Sequence, residues 1–553
     1  MVISQVQQPD SSFMLLERFM FPDNNRGAVD AVAVSAESGR HIASAYTIMS
    51  TMTVVHIWGI MIATGFYFYL RNPKNKVSDI SVSLWNKRAA TQQSIQDVLL
   101  YAREDLKKWW YYPLLMGIIA AWAAGIVAGI FVPSKLFLGN AAPVNAASIY
   151  APILSSADNI TAFIDLFALD VQPYLRATGA ALIANETLRG KVSVGQPIIL
   201  GEHTNQTIQR IDYGYVVTGA EMGLQHLPHL QLAANGSCVT EYSWWQKTEQ
   251  LNTSGLQDTY RSPFGPRLYS VSALDGSAPS AQFVIQNPPP ARNISWGIIL
   301  SSVDRLSATE SDDPWYQTIP YEGMFKVQPA RPALSCWQDD VWTYSGMPAS
   351  VRELEKIVPS ELLSEHMVRL LARTLRLPVV YRLGSHLGTT ALESATAPIG
   401  STFNAGGSSI HKDLERLVLS SYIATVNTLT DTTLYLRPEG ETPSITNIAL
   451  DSQSQPLPGV DAFVVYTSKA TALSVTTLIV VPTLALGTLV LSLLLLKFSP
   501  LRLATAMEVI EHFQLLREDY GDATIKRGSD GKSHWEYDNM PPPPPKSEAT
   551  NIT

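Results

Sequence analysis

The sequence predicts a membrane protein with three transmembrane α-helices and a large extracytosolic α+β domain. Three observations carry that reading. Three apolar windows are long enough to cross a bilayer, basic residues gather on one side of them, and N-glycosylation sequons gather on the other. The chain has 553 residues, of which 46% are hydrophobic and only 16% charged, too long for one ordinary domain and poor in charge for a soluble protein.

The N-terminal segment, 1–47, carries only Arg18, Arg26 and Arg40 as basic residues. It lacks a basic start followed by an adequate apolar stretch, so the first span is expected to direct insertion with its N-terminus translocated. The first span, 48–70, ends in Phe66, Tyr67, Phe68 and Tyr69 before Arg71, an aromatic belt followed by a cation. The loop 71–112 holds Lys74, Lys76, Lys87, Arg88, Arg103, Lys107 and Lys108, and short loops that keep Lys and Arg are cytosolic. The second span, 113–132, follows Trp109, Trp110, Tyr111 and Tyr112. The third, 471–496, lies between Lys469 and Lys497 and contains Pro482, which removes a backbone donor and predicts a bend. Each window exceeds the ~14 apolar residues of a buried core helix and reaches the ~20 that a hydrocarbon core of ~30 Å requires.

The region 133–470 is therefore expected outside the cytosol, and the sequons test this independently, because Asn-x-Ser/Thr is glycosylated only on the lumenal side. Asn159, Asn185, Asn205, Asn235, Asn252 and Asn293 all fall between spans two and three; the only other sequon, Asn551, is near the C-terminus. The same region holds both cysteines, Cys238 and Cys336. A solitary pair in an oxidising compartment is expected to bridge. Helices are predicted over 146–188, 351–376 and 410–426, and strands over 191–200, 211–218, 238–245, 282–286, 296–300 and 434–437. The loop 310–320 is the expected seam if the region holds two domains.

No catalytic constellation stands out. There is no Gly-x-Ser-x-Gly elbow, no His-Glu-x-x-His and no Gly-x-Gly-x-x-Gly, so no catalytic residue, metal ligand or cofactor is expected. Pro228 separates His226 from His229 and works against a metal-binding helix. The segment 528–533 resembles a phosphate loop but is one position too short, and reads as a turn. Asp312–Asp313 and Asp339–Asp340 lie near Trp315 and Trp337, a composition found in sugar-binding clefts, yet adjacent acids are more often solvated turns. His56 is the one ionisable side chain within the spans. Transport is disfavoured by three spans without inverted repeats.

Within the second span Gly117, Ala121, Gly125 and Gly129 recur every four residues, leaving one face without bulk. That face is expected to pack on span one, span three or another copy of the chain. Past the third span, 497–520 reads as a juxtamembrane amphipathic helix and 521–553 as a disordered cytosolic tail. The tail carries Pro541 to Pro545, in which Pro541, Pro544 and Lys546 fit a P-x-x-P-x-K order suited to SH3, WW or EVH1 domains.

The layout of two N-terminal spans, a sequon-rich domain with the run Tyr213-Gly-Tyr-Val-Val-Thr-Gly-Ala-Glu-Met-Gly-Leu-Gln225, a last span and a polar tail resembles uncharacterised multi-span membrane glycoproteins of filamentous fungi. The resemblance covers architecture and implies no activity. A multi-pass glycoprotein of the plasma or secretory-pathway membrane is expected, with membrane lipids and an extracytosolic ligand as partners and no nucleic acid. A non-enzymatic binding, surface or scaffold role is favoured; a membrane-anchored enzyme is the alternative.

Overall fold

The computed structural model describes residues 8–71, 84, 91–104, 111–152, 160–203, 206–251, 255–272, 280–290, 292–396, 398–399, 402–435, 445–498, 523–527 and 533–537. They form two compact units, one of Met1–Gly39 with Phe137–Val475, the other of Arg40–Leu136 with Thr476–Thr553. The main helices are α1 (Ala36–Arg71), α2 (Thr91–Glu104), α3 (Tyr111–Leu136), α4 (Ile160–Leu182), α5 (Glu365–Leu375), α6 (Val379–Leu387), α7 (Ile410–Val426) and α8 (Val475–Phe498).

Three of these are long and apolar enough to cross a membrane: Ala36–Gly65 within α1, Tyr112–Leu136 within α3 and Val475–Leu495 within α8. Helix is the form such segments can take in lipid, because every backbone donor then finds an acceptor within the segment. Their hydroxyls follow the same logic. Thr47 Oγ1 donates to Ala43 O at 3.0 Å, Thr51 Oγ1 to Thr47 O at 2.9 Å and Thr483 Oγ1 to Ile479 O at 2.7 Å. Helix is also tied to helix: Tyr46 Oη donates to Leu478 O at 2.7 Å and Thr477 Oγ1 to Lys135 O at 3.4 Å.

The expected boundaries need correction at three places. Residues 471–474, read as the start of span three, are strand, and α8 begins only at Val475. Within the loop 71–112, α2 is helical; Ser94 and Val98 are buried, and Val98 packs with Ile118 and Trp58. The apolar spacing of Ile95, Val98 and Leu99 is the signal that the basic residues around it obscured. In the tail 521–553, Ala523–Arg527 pairs antiparallel with Ser533–Tyr537 where no structure was expected; Thr524 and Ile525 in one strand and Trp535 and Tyr537 in the other are the β-branched and aromatic residues that favour it. The amphipathic helix expected over 497–520 lies outside the described residues beyond Phe498, which still belongs to α8.

The larger unit is built on two antiparallel sheets whose strands are β1 (Arg18–Asp23), β2 (Gly27–Ser35), β3 (Phe137–Gly139), β4 (Val192–Val194), β5 (Ile198–His203), β6 (Gln206–Thr218), β7 (Gln231–Glu241), β8 (Ser280–Ile285), β9 (Ile294–Ser301), β10 (Ala333–Tyr344), β11 (Met347–Ala349) and β12 (Ala470–Ser474). The smaller sheet has the order β1-β2-β12-β3. Along the chain, β2 runs directly into α1, α3 directly into β3, and β12 directly into α8. The larger sheet has eight strands in the order β8-β9-β10-β7-β6-β4, with β11 on β10 and β5 on β6.

Strand alternation gives the larger sheet two unlike faces. Ile211, Tyr213, Tyr215 and Val217 of β6, Leu232, Ala234 and Cys238 of β7, and Cys336 and Trp342 of β10 share one core with apolar residues of α4 to α7. Helix α7 is buried around nearly its whole circumference because it lies against α4, α6 and β6, with the Tyr422 ring edge-on to Tyr215 at 6.0 Å. On the opposite face, Trp244, Tyr260 and Val271 of a three-stranded meander cover Val284 and Ile299. A Cβ at Gly297 would lie 2.6 Å from the Trp244 ring, so glycine is what lets the meander seat. Beyond it the opposite face is open.

The run Tyr213–Gln225 carries β6 into a short helix, Gly219–Met222, through a capping box between Thr218 and Glu221. Gly223 ends it at φ +86°, a left-handed conformation in which any Cβ would also meet Val464 O at 2.6 Å.

Several predicted elements are shorter than expected. The helix read over 146–188 begins only at Ile160 and ends at Leu182, with Tyr150–Pro152 extended before it. The one read over 351–376 is broken into Leu354–Ile357 and Glu365–Leu375, with Pro359 between them. A 3-10 turn at Thr430–Thr433 stands just before the strand expected at 434–437, and its described residues, Leu434 and Tyr435, are not strand. The seam at 310–320 is not one, because Trp315 and Tyr316 there are fully buried in the shared core.

Candidate functional site

An open groove of about 700 Å³ follows the β4–β6 edge of the open sheet face. Gly190, Gly195 and Gly214 line it without side chains, and Lys191, Asp212, Glu221 and Asn235 supply its polar groups. Glu221 is held firmly: Lys191 Nζ donates to it at 2.8 Å, Thr218 N at 2.9 Å and Tyr422 Oη at 3.1 Å. Burial pushes this carboxyl up, but those bonds outweigh it and keep the group below its ordinary range. A permanently charged, fully bonded carboxylate positions neighbours and is a poor general acid.

A second, enclosed pocket lies among α4, α5 and α6, lined by Asp170, Tyr174, Arg373, Arg382, Asp431 and Tyr435. Its charges are already engaged. Arg176 Nη2 donates to Asp431 Oδ1 at 2.8 Å, and Arg382 Nη1 donates to Arg373 O at 2.6 Å and Thr374 O at 2.9 Å, closing the C-terminal carbonyls of α5. His386 has Nδ1 2.7 Å from Arg382 O and its Nε2 4.0 Å from Asp170, and burial pushes its pKa down. The pocket holds about 50 Å³, against ~300–1,000 Å³ for ordinary ligand sites.

The carboxyls displaced furthest upward belong to the interior. Burial pushes Asp313 up to about 7, although Ile410 N and Trp315 N donate to it. Asp413 is pushed up to about 6 by burial while Ser394 N and Tyr316 Oη bond its two oxygens at 2.9 and 2.6 Å. Asp340 is likewise pushed up to about 6 and accepts from Gln338 Nε2 at 2.7 Å. Asp339, its neighbour, points to the open face and pairs with Arg292 at 2.5 Å. The adjacent acids of the sequence thus serve opposite faces of a strand, and Trp315 is core, with its indole N–H bonded to Pro332 O at 3.1 Å.

Of the six sequons, Asn185, Asn235 and Asn293 are described, and all three side chains are exposed. Asn185 caps a short helix through its oxygen, which accepts from Leu188 N at 3.0 Å and leaves the amide nitrogen outward. Asn293 sits at φ +52° at the entry to β9. Asn159, Asn205 and Asn252 lie outside the described residues, as do Pro541, Pro544 and Lys546. Cys238 and Cys336 form a disulfide between directly opposed positions of β7 and β10.

The small residues of α3 face α1. A Cβ on Gly117 would come 4.0 Å from Trp58, on Gly125 3.9 Å from Val54, and on Gly129 3.2 Å from Thr51 Oγ1. The neighbours are chiefly side chains; a backbone atom, Thr47 O, comes within 4.0 Å only at Gly129. Between the two helices Ala121, Gly125 and Gly129 line a cleft of about 340 Å³. Close backbone approach is therefore confined to the Gly129 end.

The groove residues Lys191, Asp212, Gly214 and Glu221 were missed from sequence. The available signal was glycine inside the long alternating strand β6, which marks a place where something approaches the backbone.

Fold and sites together define a chain with three helices fit to span a membrane and one large α+β unit bearing an internal disulfide. Residues 171–465 match the model of the family described as Domain of unknown function (DUF8406), and the chain belongs to that family. The matched segment runs from α4 to just before β12, leaving out the three long apolar helices. No curated protein and no solved structure matches the chain.

Proposed function

We propose that this chain is a multi-pass glycoprotein of the plasma or secretory-pathway membrane whose outer unit, extracytosolic, binds a partner rather than catalysing a reaction. The observation that carries the binding reading is the edge hairpin β5–β6, where Ile198, Ile199, Leu200 and Ile208 are 46%, 60%, 54% and 39% exposed. Contiguous exposed apolar side chains on an unpaired strand edge are a docking feature. The strongly displaced carboxyls, by contrast, sit in the packed interior and face no open concavity named above. The extracytosolic placement is supported by three exposed sequon side chains in the same unit as the disulfide. The proline run near the C-terminus fits a cytosolic SH3, WW or EVH1 partner. An oligomer through the small-residue face forms no part of the proposal, because that face is turned to α1.

Topology is tested in sealed microsomes. Endoglycosidase should lower the apparent mass, and tags at residue 80 and at the C-terminus should be open to protease from the cytosolic side. A protected tag at residue 80 overturns the orientation. For the binding role, a photo-crosslinker at residue 199 on intact cells should yield one discrete adduct, lost when Leu200→Asp is added. Failure to form any adduct in glycosylated, surface-exposed protein sinks that reading.

A further inference from the structure

We propose that the groove beside β4 and β6 is the seat of the chain's own N-linked glycan, carried on Asn235. This inference rests on the extracytosolic placement of the unit. It specifies which sequon has a structural role.

Asn235 lies on β7 at the open face, exposed, and is itself one of the residues lining the groove. Its cross-strand partner on β6 is Gly214. A Cβ at Gly214 would stand 3.0 Å from Asn235 Oδ1, so the amide leans over the bare backbone of β6 toward the groove. A sugar joined to this side chain starts above Gly214, with Asp212 and Lys191 on the groove wall within the same cavity. Polar side chains beside a floor that is bare at Gly214 suit a saccharide, whose hydroxyls need hydrogen-bond partners and whose ring needs room.

A second observation comes from the other end of the sequon. Ser237 is 7% exposed and its hydroxyl has no hydrogen-bond partner among the described residues. Leaving a buried hydroxyl unsatisfied is unfavourable, and alanine would fit the same space without that cost. Folding supplies no reason for the hydroxyl. The glycosylation signal does, since it requires Ser or Thr two positions after the asparagine. The middle residue, Gly236, has a packing reason, because the Tyr213 ring lies where its Cβ would be.

The experiment compares full-length protein from a glycosylating eukaryotic host with the same protein made under a glycosylation inhibitor, in detergent. Glycopeptide mapping should find Asn235 occupied. Asn235→Gln and Ser237→Ala should each lower Tm by about 2–4 °C in glycosylated protein. Ser237→Thr, which keeps the sequon, and Thr187→Ala, which removes the sequon of Asn185 outside the groove and leaves that helix cap in place, should not. Under inhibitor, Ser237→Ala should leave Tm unchanged or raise it. A Tm loss for Asn235→Gln that persists without glycan means the amide itself is structural and overturns the proposal. So does an unoccupied Asn235 beside occupied Asn185 and Asn293, which leaves the glycoprotein reading intact. If no sequon carries sugar, both readings fall.

Discussion

The two faces of the eight-stranded sheet come from the same strands yet obey different rules. Toward the helices, a buried polar network runs through the packing: Tyr213 donates to Gln338, Gln338 to Asp340, and Tyr316 to Asp413 while its oxygen also bonds Ser394. Toward the open side, one residue along the same strands, Asp212, Asn235 and Trp337 meet solvent. The packed face therefore carries stability, and the open face is free to carry recognition or modification. Substitutions on the two faces should differ accordingly.

The largest difference is expected at the disulfide, whose two cysteines are 0% and 3% exposed on the packed side and enclose a chain separation of 98 residues. Replacing both by alanine should cost about 2–5 kcal/mol. Val216→Thr, on the open face of β6, should stay within about 0.5 kcal/mol. Thermal unfolding in detergent with and without reductant measures both. A double alanine variant as stable as Val216→Thr would remove the distinction.

Next comes Tyr316→Phe, which deletes one hydroxyl and leaves Asp413 bonded by Ser394 only, through its backbone N and its side chain. The loss should be about 1–3 kcal/mol, since a buried acceptor is orphaned. Denaturant unfolding at fixed pH reads it directly; a change below about 0.5 kcal/mol would show that the inner network is dispensable.

The inner acids also give the packed face a pH dependence. Asp313, Asp413 and Asp340 have folded values near 7, 6 and 6 against an ordinary 3.8, so between these limits the folded state holds more protons than the unfolded state. Stability from these groups is then present below about pH 4 and falls as pH rises toward 7. Asp340→Asn keeps an acceptor for Gln338 and should flatten the fall between about pH 4 and 6. A slope in that interval unchanged by the substitution would mean that Asp340 does not titrate there.

Strand was legible in β8, β9 and the second half of β6, where alternation writes the two faces into the sequence, whereas β7 was placed too late, at 238–245 for Gln231–Glu241, and β1, β2 and β10 were not recognised as strands. Helix α7 was legible from end to end. What failed shares a cause, which is that tertiary context decided the local form. Residues 471–474 are apolar enough to read as membrane helix, but pairing with β2 holds them extended. The loop 310–320 was expected as a seam, whereas Trp315 and Tyr316 reach from it into the core. The bridge between Cys238 and Cys336 was legible from cysteine number and the compartment expected for them. The groove was not, since it needs β4, β6 and β7 side by side, and only the cross-strand register puts Asn235 over Gly214.

The smallest expected effect carries the contrast between packed and open positions into α3. Four small residues recur in register there, and their spacing alone predicts equal importance. Their surroundings differ. At Gly129 an added Cβ would meet Thr51 Oγ1 at 3.2 Å and Thr47 Cγ2 at 3.5 Å, close enough that α1 must give way. At Gly125 the nearest atoms are 3.9 and 4.0 Å away, ordinary contact beside the cleft of about 340 Å³. Gly125→Ala should therefore be neutral or stabilising by up to ~1 kcal/mol, because alanine favours helix over glycine and adds contact. Gly129→Ala offsets the same helical gain with steric displacement of Thr51 and should be destabilising by about 0.5–1 kcal/mol. Val127, 51% exposed, is the control, and Val127→Leu should change little. Thermal stability of the three variants in one detergent decides the matter. If Gly125→Ala and Gly129→Ala shift Tm alike, α1 does not approach α3 at the Gly129 end, and the small residues act as a uniform stripe or as composition alone.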